Sequence, residues 1–269
     1  MYRFFLPLSY GWSTRSQTPL DRLSFFVILV LPLWYCSAVS ASAPLQAVLP
    51  PFAIAFVAQY ALYEIGYLQN DCVTTRFESS PHFRLPAPRQ EAAARLYPLL
   101  TATRLAFACA CLALLTRFFP AGRVYRFAAL LLMQTLAFGA HNTLRSRWNI
   151  ATYLALCTLK YAAVPLLFAP SVWPPPPAAA AMFFAFPLPR AVEHASKEKY
   201  GIKLLRSLNP DRFRLAYYAL LSIITCTLAL LRRETLPAAL LSLWFYGYRA
   251  AVAGALSLSS RLRKKYRAP

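Results

Sequence analysis

Acidic residues are scarce in this chain. Nine Asp and Glu stand against 29 Lys and Arg in 269 residues, for a formal net charge of +20. Glycine is sparse too, at 7 residues, while proline reaches 22. No stretch reads as a separate soluble domain, and no tandem repeat is evident. The six cysteines, at 36, 72, 109, 111, 157 and 226, lie mostly inside apolar runs. The pair at 109 and 111 has no His or Cys partner at metal-ligand spacing, so nothing points to a cysteine-based metal centre. All six read as small packing residues, with Cys72 set apart only by its neighbour Asp71.

Apolar residues are abundant. Hydrophobic residues make up 58% of the chain and mean hydropathy is +0.43. A soluble domain has about 45–50% apolar residues. The composition predicts an all-α, polytopic membrane protein. A spanning helix needs about 20 mostly apolar residues. Eight stretches meet that need, near 23–42, 46–68, 97–117, 124–141, 149–169, 173–192, 213–231 and 235–257. They are expected to form one transmembrane domain over residues 1–269. The first stretch follows Arg15 and Arg22 and precedes "SAVSASA", which gives it the look of a signal peptide. It also fits the bundle as a retained helix, and that is the expectation here.

A net charge of +20 raises nucleic acid as a partner. On an apolar chain the excess is better read as loop charge that sets orientation and meets anionic lipid. Recognition of a phosphorylated substrate is compatible with the same excess. The basic residues cluster before the first stretch, in loops 69–96, 142–148 and 193–212, and in the tail. With eight spans these fall on one side. Both termini and the two long loops, 69–96 and 193–212, are then cytoplasmic, in a membrane expected to be a bacterial inner membrane. No nucleic acid is expected among the partners.

Three of the nine acids lie in "YEIGYLQNDCVTTRFESSP", Tyr63 to Pro81: Glu64, Asp71 and Glu78. Residues seven apart lie two helical turns apart on nearly the same face. Three like charges on one stripe repel, and an unpaired carboxylate in a bilayer is costly. A cation would relieve both. Hard oxygen ligands next to phosphate suit Mg²⁺. The plainer reading is that Asp71 and Glu78 are solvated loop residues paired with Arg76 or Arg84. A second polar stretch, Arg190 to Arg212, contains Glu193, Lys197, Lys199, Gly201 and Lys203. It too follows an apolar segment.

Together the two stretches resemble the UbiA superfamily of intramembrane prenyltransferases. That family carries N-D-x-x-D-x-x-x-D after its second helix. "NDCVTTRFE" supplies Asn70, Asp71 and Glu78 at the matching offsets, with Thr74 in place of the middle acid. The family's second motif, D-x-x-x-D followed by G-x-K-T-L, is echoed in "EHASKEKYGIKLL". Glu193 takes the first acidic position, Lys197 the second, and Gly201, Lys203 and Leu205 are kept. "HNTLRSR" places His141 and Arg145 near a Tyr/Lys pattern of the family.

The resemblance implies a helical bundle in which acidic motifs hold Mg²⁺ against the diphosphate of a donor. Asp71, Glu78 and Glu193 would be catalytic metal ligands. Asn70, Arg76, Arg145, Lys197 and Lys203 would bind substrate. The implied partners are a polyprenyl phosphate or diphosphate lipid and a diphosphate-bearing donor. Two chemistries are compatible with this resemblance. One is prenyl transfer to a small acceptor, and the other is transfer of phosphoribose from phosphoribosyl diphosphate to a polyprenyl phosphate. A non-catalytic lipid-phosphate binding protein is a third reading.

Overall fold

A computed structural model describes residues 2–77, 83–144, 146–171 and 177–258. The described residues are helical, with turns between helices and no strand. The chain divides into two compact units, Met1–Pro174 and Pro175–Pro269.

The first unit contains α1 (Ser9–Arg15), α2 (Pro19–Ser24), α3 (Leu31–Ala41), α4 (Leu45–Cys72), α5 (Ala87–Arg95), α6 (Tyr97–Leu115), α7 (Ala121–Thr143) and α8 (Trp148–Phe168). Helix α2 starts where Thr18 and Asp21 cap each other's backbone N–H groups, with Pro19 at the first helical position. This satisfies donors that a helix start leaves orphaned. It runs into α3 through one wider turn, Phe25–Val30. Pro32, just beyond, has no N–H to give to the preceding turn, which accounts for the local widening. The Tyr161 hydroxyl of α8 donates to the carbonyl of Ile28 inside that turn, at 3.3 Å. Helix α4 packs along α6 and α7, and α8 packs along α7 and α3. At Gly66 the α4 backbone comes so close to α7 that a Cβ there would sit 2.2 Å from the Phe138 ring. Only glycine fits that contact.

The second unit contains α9 (Pro177–Ala185), α10 (Pro187–Ala195), α11 (Pro210–Leu231) and α12 (Leu236–Leu258). Helices α11 and α12 pack along one another, and α9 lies against α12. The Thr225 and Ser242 hydroxyls meet at 2.6 Å between α11 and α12.

Six described helical segments are long and apolar enough to cross a membrane: Pro19–Ala41, Leu45–Phe77, Tyr97–Leu115, Trp148–Phe168, Pro210–Leu231 and Arg233–Leu258. They mark an integral membrane protein. They coincide with six of the eight stretches expected from sequence. The other two differ for identifiable reasons. The stretch at 124–141 is a 23-residue helix, α7, but Arg123, Arg126, Gln134 and His141 dilute its apolar content. The stretch at 173–192 is broken. Its described part forms two nine-residue helices, α9 and α10. Phe186 between them has φ −134° and ψ −59°, outside helical geometry. Pro187 and Pro189 remove the N–H groups that would have carried the helix on. The carbonyls freed at the break are met from α11. Tyr217 donates to the Phe184 carbonyl and Tyr218 to that of Ala185, each at 2.7 Å. In a bilayer such compensation is what makes a broken helix tolerable.

Candidate functional site

Asp71 and Glu193, the two described carboxylates of the implied metal site, belong to different units. Each is held by arginine.

Asp71 lies at the end of α4 and is 3% exposed. Arg15, the last residue of α1, grips both of its oxygens: Nη1 donates to Oδ2 at 2.9 Å and Nη2 to Oδ1 at 2.8 Å. The Tyr10 hydroxyl donates to Oδ2 at 3.0 Å, and the Asn70 amide to Oδ1 at 3.1 Å. Gln90 of α5 donates to the Asp71 backbone carbonyl. Thr74, which replaces the middle acid of the motif, donates back to the Asn70 carbonyl at 3.0 Å. The Arg15 guanidinium also lies over the Tyr67 ring, 4.4 Å from its centre. Burial would lower the Arg15 pKa, but the hydrogen bonds and charge of Asp71 outweigh it and raise it instead. Arg84 reaches solvent, yet desolvation and then repulsion from Arg15 pull its guanidinium below its ordinary range. Burial, followed by the Asp71 charge, pushes the Tyr10 phenol well above its usual value, so it acts as a donor.

One heptad deeper, Glu64 is fully buried on α4. Its Oε1 accepts from the Gly11 N–H at 2.6 Å, and its Oε2 from the Leu8 N–H at 3.1 Å. Arg104 of α6 donates to Oε2 at 3.1 Å, with both side chains at 0% exposure. Leu8 has φ +70°, a left-handed backbone that costs a leucine about 1 kcal/mol or more. The Glu64 hydrogen bonds hold it there. Glu64 and Asp71 therefore staple one short element, α1, along the end of α4. The first two acids of the line are partners of the N-terminal segment and of α6.

Glu78 lies outside the described residues, as does Arg145. Arg76 is exposed in the short turn after α4. His141, at the end of α7, sits with its ring 5.4 Å from that of Tyr153.

In the second unit, Glu193 is buried on α10 and Arg214 on α11 clasps it. Arg214 Nε donates to Oε1 at 2.5 Å, and Nη2 donates to Oε2 at 2.7 Å. Arg190, one turn earlier on α10, donates to Oε2 as well. Arg249 of α12 adds a third positive charge within electrostatic reach. Its Nε is buried without a hydrogen-bond partner. Burial alone would raise the Glu193 pKa. The Arg214 hydrogen bond and the charges of Arg190, Arg214 and Arg249 outweigh it and hold the carboxyl below its usual 4.5. Lys197 and Lys203 follow on exposed turns. Partial desolvation, then the charges of Lys199 and Arg190, lower the Lys197 ammonium. Asp211 also lies 3.6 Å from Arg214 Nη1, so three guanidinium groups meet two carboxylates and the cluster keeps a net positive charge, with Arg249 Nε as its unpartnered donor. Its chemistry is that of an oxyanion receptor.

A Mg²⁺ ion could reach Asp71 or Glu193 only by displacing an arginine from its oxygens. Among the described residues no three His, Cys, Asp or Glu side chains gather into a ligand set. Among the described residues the carboxylates as arranged do not fit a Mg²⁺ site, and Glu78, the third implied ligand, lies outside them.

The acids stand out in the sequence, but their partners do not. Arg15, Arg104, Arg214 and Arg249 were all visible as cations in or beside apolar stretches. An intramembrane arginine such as Arg104 is itself a signal, because its cost demands a buried anion.

No family model, no curated protein and no solved structure matches the chain.

Proposed function

We propose that this integral membrane protein recognises a polyprenyl phosphate or diphosphate, and that it is a transferase of UbiA-like type. The observation that carries the proposal is the cluster of Arg190, Arg214 and Arg249 around Glu193. Guanidinium forks match phosphate oxygens two at a time. An isoprenoid tail would lie among the apolar helices. The reaction class is displacement at the carbon bearing a diphosphate. The acceptor oxygen or carbon forms the new bond, diphosphate leaves with the bonding pair, and a neutral acceptor gives up its proton to diphosphate or water, whereas a phosphate oxygen acceptor is already anionic. Arginine donors placed where that charge develops would stabilise its departure. The donor is a polyprenyl diphosphate in the first form of the proposal. In the alternative form it is phosphoribosyl diphosphate, with a polyprenyl phosphate as acceptor.

A second reading is favoured by the ion pairs themselves. Carboxylates saturated by Arg15 and Arg214 are what a protein that binds lipid phosphate without turning it over would carry. The deciding experiment measures diphosphate release by purified protein in nanodiscs, with each donor, with Mg²⁺ and with a chelator. Release with either donor supports the transferase. Binding of the lipid phosphate without release with either donor assigns the second reading. Absence of both binding and release overturns the whole proposal.

A further inference from the structure

Lys160 lies twelve positions into α8, a 21-residue helix long and apolar enough to cross the membrane. At the helical rise it sits roughly 18 Å from the start of α8 and about 12 Å from its end. Its side chain turns to α4. The ammonium is 4.3 Å from the centre of the Tyr63 ring and 5.6 Å from that of Tyr60. These residues also lie deep in their own helix, between Leu45 and Cys72. No described carboxylate lies within ion-pair distance of Lys160. The acid nearest to Tyr60 and Tyr63 in sequence, Glu64, is committed to Arg104 and to the N–H groups of Leu8 and Gly11.

An ammonium at this depth without a counter-charge is costly, and such residues mark ligand or ion sites. Two phenol faces offset only part of that cost. The floor beside Lys160 is polar and satisfied. Gln59 donates to the Gln134 side chain at 2.8 Å and to the backbone carbonyl of Lys160 at 3.0 Å. The polar surroundings therefore fix the lysine's helix without neutralising its charge.

We propose that Lys160 is the anion-receiving group of a ligand site between α4 and α8, and that the ligand is a lipid-soluble carboxylic acid. One cation matches one negative charge. A phosphate monoester carries about −1.5 to −2 at neutral pH and would leave a net negative charge in the membrane interior. A carboxylic acid enters lipid in its neutral form. When its proton leaves for water, the carboxylate and the ammonium form a pair of zero net charge. The Tyr60 and Tyr63 rings form an apolar, flat wall for the carbon chain next to the headgroup. This site is separate from the arginine cluster and does not depend on the transferase proposal.

The test uses full-length protein in phosphatidylcholine nanodiscs and a diazirine-bearing fatty acid as photoprobe. Labelled residues are mapped by mass spectrometry. Labelling is expected on α4 or α8 close to Tyr60, Tyr63 and Lys160. Oleate should compete, and oleyl alcohol should not. Benzoate competing instead of oleate would keep the carboxylate site and assign it to a small acid rather than a bilayer lipid. Lys160→Met should lose labelling at least about tenfold and Lys160→Arg should keep most of it. If Lys160→Met fails to give a monodisperse protein, the competition series on the native chain decides alone. Equal competition by oleyl alcohol, stronger competition by farnesyl phosphate than by oleate, or undiminished labelling of a well-folded Lys160→Met protein would overturn the proposal.

Discussion

Asp71 and Arg15, 56 positions apart, meet in a two-pronged ion pair with nitrogen–oxygen distances of 2.9 and 2.8 Å. Asp71 is 3% exposed and Arg15 17%. The carboxylate that resembles a metal ligand in sequence is thus the anchor of the N-terminal helix.

That relationship predicts an asymmetry. Arg15→Met strips a buried carboxylate of its two-pronged partner, at a cost of about 3–5 kcal/mol. The double variant Arg15→Met/Asp71→Leu removes both charges and should recover most of the loss. Thermal unfolding in detergent, followed by tyrosine and tryptophan fluorescence, measures both. Equal destabilisation of the two variants would mean that the pair does not carry α1.

The helix break in the second unit gives a separate prediction. Tyr218 is 1% exposed and donates to the Ala185 carbonyl at 2.7 Å. Tyr218→Phe keeps the ring and orphans that carbonyl, for a loss of about 1–3 kcal/mol. Tyr218→Phe should therefore unfold at lower temperature than the native chain, whereas a change at the exposed Trp148 should not.

A third prediction concerns Gly66. A methyl group there meets the Phe138 ring at 2.2 Å. Gly66→Ala should destabilise the first unit by about 1–3 kcal/mol through overpacking. Adding Phe138→Ala should relieve the clash. The readout is unfolding temperature of the single and double variants.

Much of the fold was legible in the sequence, because length and apolar content alone define a spanning helix. Six stretches needed nothing more. The stretch at 173–192 misled because its apolar content hid the backbone effect of Pro187. Two members of the acidic line, Glu64 and Asp71, share α4, while Glu78 lies outside the described residues. The partners of Glu64 and Asp71 were not legible. Arg15 is 56 positions from Asp71 and Arg104 is 40 from Glu64. Sequence spacing carries no information about which helix a buried charge will face. The plainer alternative, solvated loop residues paired with Arg76 or Arg84, named the right interaction type for Asp71 but neither its burial on α4 nor its partner Arg15.

Acid stability offers a prediction with a definite sign. The folded pKa of Glu193 lies below its unfolded value of 4.5. The stabilisation it contributes is therefore fully present above pH 4.5 and is lost as pH falls through the folded value. The difference in unfolding temperature between the native chain and Glu193→Gln should stay constant from about pH 8 to pH 5 and shrink below that. A gap that closes instead between about pH 6 and pH 8 would contradict the arginine-held carboxylate.

The central claim is that the arginines around Glu193 read a phosphate headgroup. The most direct measurement is the affinity of the protein in nanodiscs for a polyprenyl phosphate against the uncharged polyprenol, with chelator present. A preference of about tenfold or more for the phosphate is expected. Arg214→Gln/Arg249→Gln should erase that preference while polyprenol binding is unchanged. Equal affinity for both lipids in the native chain, or a preference that survives in the double variant, would contradict the claim.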